Sequence, residues 1–389
     1  MKKKVLIISM AYFPRFVGGA EVAVKEITNR LSDEFEFHLI TLRYDSSLPR
    51  ESKEGNVFVH RIGFAMQHPT IADLRKFPLR LLKPWFQFGA YFAARRLHVT
   101  HNFTYLWAMM AHSSGVPAGL FKKKCPEVRY LLTLQEGDPP EVIEKQMSVF
   151  GTLFANGFIR ADAIQCISTF LGAWAKRMGG ARIEVIPNGV DYQSFDTTET
   201  NRTEVRASCG LTNADIVVVT ASRLVHKNGI DTVIKALPLL PSHIKFLVLG
   251  AGPQKAMLQD LAAKLGVTDR VIFKGEVSYT HLPAFLHASD MFIRMSRSEG
   301  MGNAFVEAMA AKLPTIGTAV GGIVDFLREG ETGFVATPDN PESVKQAIER
   351  VLSDPQATAI VTETASRMVR EKYDWELIGS QMRRLFNSL

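Results

Sequence analysis

The stretch SRSEGMGNAFVEAMA (residues 296–310) sets two glutamates, Glu299 and Glu307, on either side of a glycine-bearing interval. The run MFIRM before it has β-character, and Asn303, a good helix N-cap, precedes an unbroken AFVEAM. A strand, a loop and a helix starting near Asn303 are therefore predicted. Such a turn presents the amides of Met301, Gly302 and Asn303 at the positive end of a helix dipole, and Gly300 and Gly302 let ligand atoms approach the backbone. Phosphate suits that position. Carboxylates repel phosphate but accept hydrogen bonds from hydroxyls, so acids on the rim imply a ligand carrying both, as a nucleotide sugar does. The alternative is that Glu307 only complements the helix start. A capping box from Asn303 would put the acid at 306, which is Val306.

A second group of chemically able residues lies in TASRLVHKNGID (residues 220–231), where Arg223 and Lys227 precede a helix after a strand-like run. Two cations there would clamp a diphosphate and neutralise its charge as it departs, whereas Arg223 alone reads equally well as a surface ion pair. Near the N-terminus, a long loop ends in Gly18-Gly19 at a helix start, which suits an anion or is a plain loop-to-helix turn. In VLGAGPQKAML, Gly250 and Gly252 follow a strand, but the third glycine of a dinucleotide fingerprint is replaced by Lys255, so a tight turn is the better reading. There is no GxSxG, HExxH, GxxxxGK[ST] or DxD string. His98 and His101 have no sequence neighbours at metal-ligand spacing, and Cys125, Cys166 and Cys209 are scattered. Neither a metal site nor disulfides are expected.

These loops need elements to hold them. With 389 residues, 46% of them apolar, the chain suggests two domains with a core each. KVLIIS, FEFHLIT, RYLLTL and AIQCIS alternate with helical patterns such as AEVAVKEITNRL. The scheme then repeats with DIVVVTAS, IKFLVLG, RVIFKG, MFIRM and LPTIGT. The expectation is two open parallel α/β sheets, joined near IPNGVDYQSF and TTETNR and followed by a final amphipathic helix in YDWELIGSQMRRLF. MKKKVLIISM has too short an apolar run for a signal peptide and no segment is long enough to span a bilayer, so a cytoplasmic protein is expected. Residues 1–190 hold 25 Lys and Arg against 16 Asp and Glu, and the remainder 21 against 23. No nucleic-acid module accompanies the excess, so no nucleic-acid partner is expected. Part of the excess lies in DLRKFPLRLLKPWFQFGAYFAARRLH (residues 73–98), where Arg75, Lys76, Arg80, Lys83, Arg95 and Arg96 interleave with aromatic residues. Either its apolar residues cover the first sheet, or the segment docks on the inner face of an anionic membrane.

Together GGAE, IPNGVD, SRLVHKNGID, VLGAGP, FKGEV, the Glu299–Glu307 spacing and VGGIVDFL resemble the retaining, nucleotide-sugar-dependent glycosyltransferases of family 4 over nearly the whole chain. The resemblance implies α/β GT-B architecture, two Rossmann-like domains facing a central cleft: residues 1–188 with the helix 374–389 on the acceptor side, and 189–373 on the donor side. It implies transfer of a hexosyl group to an acceptor hydroxyl with retention, in cell-surface glycan or glycolipid assembly, onto a glycan or lipid-linked acceptor. The nucleoside-diphosphate sugar is a co-substrate, and neither cofactor nor metal is implied. Glu299 then holds the donor's sugar hydroxyls, Glu307 the ribose diol, and the amides between Gly300 and Asn303 the pyrophosphate. Arg223 binds phosphate, and Gly18, Gly19, Gly252 and Phe273 complete the donor set. Two departures stand out. The lysine usual five residues after the arginine is Asn228 here, with Lys227 beside it. Gln135, in TLQEGDPP, replaces a histidine found at the reacting sugar, so the position acts through its backbone or its amide dipole, or Glu136 or Asp138 takes over. A nucleotide-sugar epimerase, a phosphorylase or a non-catalytic sugar-nucleotide-binding protein are the alternatives.

Overall fold

A computed structural model describes residues 2–15, 18–69, 73, 76–196 and 201–389. Arg75 and most of the TTETNR segment lie outside the described residues. The chain divides into two compact units, residues 1–188 with 376–389, and residues 189–375.

The first unit is built on eight strands: β1 (Lys3–Ile8), β2 (Phe35–Leu42), β3 (Glu51–Glu54), β4 (Val57–Ile62), β5 (Tyr105–Met109), β6 (Arg129–Leu134), β7 (Ala163–Cys166) and β8 (Ile183–Val185). They run in the order β3-β4-β2-β1-β5-β6-β7-β8, with only β3 antiparallel to its neighbour. Because helices cover both faces of such a sheet, its inner strands read as unbroken apolar runs, as Val5 to Ile8 do, all of them fully buried. The helix Trp375–Asn387 returns the chain to this unit. Its Phe386 ring sits 5.5 Å from those of Phe35 and Trp107, and Arg383 pairs with Asp33 and Glu34.

The described part of residues 73–98 splits between the two readings given for that segment. Leu82, Phe86, Ala90, Ala94 and Leu97 of the helix Leu82–His101 are buried, one side chain per turn, as a sheet-covering helix requires. Leu81, Trp85, Phe88 and Phe92 form a second stripe that is exposed, Phe92 to 67%, alongside Phe77 at 70%. Lys76, Arg80, Lys83, Arg95 and Arg96 are exposed too.

The second unit holds β9 (Ile216–Ala221), β10 (Ile244–Leu249), β11 (Val271–Gly275), β12 (Met291–Arg294), β13 (Thr315–Gly317) and β14 (Phe334–Val335), all parallel, in the order β11-β10-β9-β12-β13-β14. From β9 the chain first adds strands to one side and then crosses to the other. The carboxyl ends of β9 and β12 therefore flank a topological switch point, where diverging loops leave room for a ligand. In the first unit β1 and β5 stand in the same relation.

Candidate active site

At the switch point of the second unit the loops after β9, β10 and β12 pack backbone to backbone, and glycines permit it. A Cβ on Gly252 would lie 2.4 Å from the Leu224 carbonyl, and one on Gly229 would lie 1.8 Å from that of Met295. Gly252 thus seats the loop bearing Arg223. Arg297, which the sequence reading passed over, ties that loop to the acid-bearing one. It grips Asp231 through two bonds of 3.0 and 2.9 Å, donates to the His226 carbonyl and pairs with Asp339. Burial alone would raise the Asp231 carboxyl, but Arg297 and Lys235 hold it below the usual range.

The named residues converge on this frame. Arg223 is exposed, and its guanidinium makes no hydrogen bond or ion pair among the described residues. Its carbonyl accepts a 2.7 Å bond from Asn228 Nδ2, while Asn228 Oδ1 accepts one of 2.7 Å from Arg294 Nη2. The same Nη2 donates to Glu299 Oε2, and the Gly300 amide donates to Glu299 Oε1 at 3.2 Å. Asn228 is therefore buried and bridging, while Lys227 is half-buried, with its carbonyl held by the Arg297 amide. Glu307 stands half-buried in the helix Asn303–Ala310, and loss of solvation pushes its carboxyl up to about 7 against the opposing charge of Arg294.

The helix starts one residue earlier than an N-cap at Asn303 would give. Gly302, not Asn303, is the N-cap, because the chain turns through φ +97° there, and a Cβ would press on the Phe305 ring at 2.8 Å. Asn303 is already helical. Among the described residues the amides of Met301, Gly302 and Ala304 donate no hydrogen bond, so the unpaired helix start is present. Eight buried side-chain polar atoms lack a hydrogen-bond partner among the described residues, and four of them, on Thr220, Ser222, Arg294 and Ser296, belong to the ends of β9 and β12. Buried polar groups are nearly always paired in a finished protein, so this concentration is what a site built for a polar ligand would leave. Phe273 is not part of the cluster. It lies in edge strand β11 and packs on the hydrophobic core.

In the first unit Gly18 caps the helix Gly19–Leu31, and its amide is taken by the Glu21 carboxylate at 2.7 Å, so this helix start carries its own anion. Gln135 follows β6 and is buried in a reciprocal amide pair with Asn188, both bonds 3.0 Å, and its N–H goes to Glu136 at 3.0 Å. Only its carbonyl accepts nothing among the described residues. Glu136, buried, also accepts from the His112 amide at 3.3 Å and faces its Nδ1 at 3.4 Å. His112 lies in a π-helical turn after β5, and no motif in the sequence singled it out. Asp138 is exposed. The fold does bring Cys125 and Glu127 to His98, at spacings a metal would accept. The Phe103 amide donates to His98 Nδ1 at 3.2 Å, however, which leaves the ring proton on Nε2, facing Glu127 rather than a metal.

Residues 17–194 match the family model described as Glycosyltransferase Family 4, and residues 201–375 match Glycosyl transferases group 1. An uncharacterized glycosyltransferase of Methanocaldococcus jannaschii is 24% identical over 400 residues, covering 97% of this chain and 96% of the relative. A GDP-mannose-dependent alpha-(1-6)-phosphatidylinositol monomannoside mannosyltransferase of Mycobacterium tuberculosis is 27% identical over 315 residues, covering 78% and 72%. Among solved structures, the Anabaena protein HepE in complex with UDP-glucose superposes with a TM-score of 0.79 at 22% identity, covering 99% of this chain and all of that one. Two open, largely parallel α/β sheets, one in each unit, and the likeness to HepE give the chain the GT-B fold. The chain belongs to the family 4 glycosyltransferases.

Proposed function

We propose that the second unit binds a nucleoside-diphosphate sugar at the ends of β9 and β12, and that its hexosyl group passes to a hydroxyl of a glycan or lipid-linked acceptor with retained anomeric configuration. The observation that carries this reading is the convergence there of an unengaged Arg223, the open amides of Met301 and Gly302, and the carboxylates Glu299 and Glu307. HepE, solved with UDP-glucose, and the mannosyltransferase named for GDP-mannose and a phosphatidylinositol glycoside support the ligand classes.

In this reading Glu307 accepts the ribose diol and Glu299 the sugar hydroxyls, while Arg223 and the helix start neutralise the diphosphate as its bond to the anomeric carbon breaks. The acceptor oxygen attacks from the face the diphosphate leaves, and its proton passes to the departing phosphate oxygen. No metal is needed for that charge balance. The open carbonyl of Gln135 supports a backbone role for that position. The exposed Leu81, Trp85, Phe88 and Phe92 stripe, with cations around it, supports docking on an anionic membrane.

A thermal-shift screen against UDP, GDP, ADP and their sugars identifies the donor, since ligand at about 100 times its dissociation constant stabilises by about 2.7 kcal/mol. With that donor, Glu299→Ala and Glu307→Ala both abolish transfer, but only Glu307→Ala weakens the free nucleoside diphosphate. Equal losses of nucleotide binding would refute the assignment of the two acids. Binding without transfer to any acceptor would favour a non-catalytic role.

A further inference from the structure

Arg294 and Arg297 sit three residues apart and are used differently. Every nitrogen of Arg297 is engaged: Nε by Asp339, Nη1 by Asp231 and the His226 carbonyl, and Nη2 by Asp231. That is how an arginine that only joins two loops is held. Arg294, at the end of β12 with a side chain 11% exposed, engages Nη2 alone, with Asn228 and Glu299. Its Nε is buried without a hydrogen-bond partner, and Nη1 has none among the described residues. A buried Nε–H without a partner is costly unless something else completes it, and the Phe305 ring, 6.0 Å from the guanidinium, accepts no such bond in its place.

We propose that Arg294 is a phosphate-binding residue of the donor site, the second cation beside Arg223, which rests on the reading of that site given above. Three observations place it there. Asn228 yokes it to the Arg223 backbone through bonds of 2.7 Å on each side of its amide. The unpaired hydroxyls of Thr220, Ser222 and Ser296 belong to the same two strand ends. Glu299 is bonded to Arg294, and the charge of Arg294 acts on Glu307, so it stands among the carboxylates that would otherwise repel an incoming diphosphate. An exposed Arg223 alone acts through water and is screened by it. A buried, planar fork offers the charge-assisted bonds that a diphosphate needs.

The competing role for Arg294 is to aim Glu299, and ligand size separates the two. Calorimetry with UDP, GDP and ADP, each run against its own nucleoside and its glucose or mannose diphosphate sugar, supplies the readout. In wild type one diphosphate binds. Arg294→Leu should weaken that diphosphate about tenfold or more and leave its nucleoside within about twofold. Arg294→Lys, which keeps the charge and loses the fork, should fall between. Asn228 and Arg294 are in contact, so Asn228→Lys added to Arg294→Leu returns a cation to the same place and should recover most of the lost affinity. Arg294 as an aiming residue only would show the opposite pattern, with diphosphate affinity kept and sugar-donor affinity lost, and that overturns the proposal. So does a double variant no better than Arg294→Leu. Wild type binding no diphosphate at all would overturn the donor-site reading along with it, whereas loss on Arg223→Gln but not on Arg294→Leu would leave that reading standing and remove only this one.

Discussion

Donor affinity should rise with pH through neutrality, and Glu307 should be the cause. Its carboxyl is pushed up to about 7 by loss of solvation. It is therefore ionised in roughly a tenth of molecules at pH 6 and nine-tenths at pH 8, and only the carboxylate accepts both hydroxyls of a ribose diol. If binding requires that form, affinity for a nucleotide sugar should increase about tenfold between pH 6 and pH 8, with close to one proton released per ligand at the acid end. The diphosphate diester keeps its own charge across this range, so the ligand does not contribute. Isothermal titration in buffers of contrasting ionisation enthalpy measures both quantities. Glu307→Gln should bind more weakly at pH 8, show no slope and release no proton. The same group acts on stability with the opposite sense. Its folded value exceeds the unfolded value of 4.5, so the folded state holds the extra proton, and stability falls as pH rises from 4.5 through about 7. The penalty at pH 8 is roughly 3 kcal/mol, and Glu307→Gln should recover much of it in urea unfolding. A wild-type affinity that is flat from pH 6 to 8 without proton release, or a Glu307→Gln variant that keeps the slope, would refute this reasoning.

Three further outcomes are expected. Arg297→Met should cost about 2–3 kcal/mol in denaturant unfolding, because it leaves the largely buried Asp231 with Lys235 as its remaining cation and frees the loop of residues 226–231; unchanged stability would contradict the role given to Arg297. Gln135→Ala should lower transfer only a few-fold while costing about 1–2 kcal/mol of stability through the lost Asn188 pair, and a loss of rate as large as that of Glu299→Ala would mean that the side chain, not the carbonyl, does the work. The chain should cosediment with anionic vesicles at low salt and less so with Trp85→Ala and Phe92→Ala together, and no binding to those vesicles would return the segment to a sheet-covering role alone.

Much of the second unit was legible in the sequence because its strands are short apolar runs bounded by glycine and polar loops, as in IKFLVL before Gly250-Ala251-Gly252. Of the strands missed, VFVHRI of β4 does alternate after Gly55-Asn56 and carried a readable signal, whereas the others had weaker ones, IEV of β8 being only three residues long. ESKE of β3 is wholly polar, FV of β14 is too short for any period, and YLWAM of β5 runs into further apolar residues without a turn signal. At the site, the glutamate spacing and the glycines pointed to the loop after β12, since both are local patterns. Arg294 could not be found that way. Its meaning depends on Asn228, far off in sequence, and on donors left unpaired, which only packing reveals. Arg297 and the His112–Glu136 contact were hidden for the same reason. The expected N-cap at Asn303 lost to a left-handed turn at Gly302, because the neighbouring Phe305 ring and Glu299 leave no room for a Cβ at that position.

The decisive measurement is calorimetric titration of the nucleoside diphosphate found in the screen, in excess EDTA, into wild type, Arg223→Gln and Glu307→Ala. If the loops after β9 and β12 hold the diphosphate through a cation, amides and a ribose-binding acid, wild type binds undiminished without metal, and each variant loses about tenfold or more. Binding that vanishes in EDTA and returns with Mg²⁺ or Mn²⁺, or that neither substitution weakens, would contradict it.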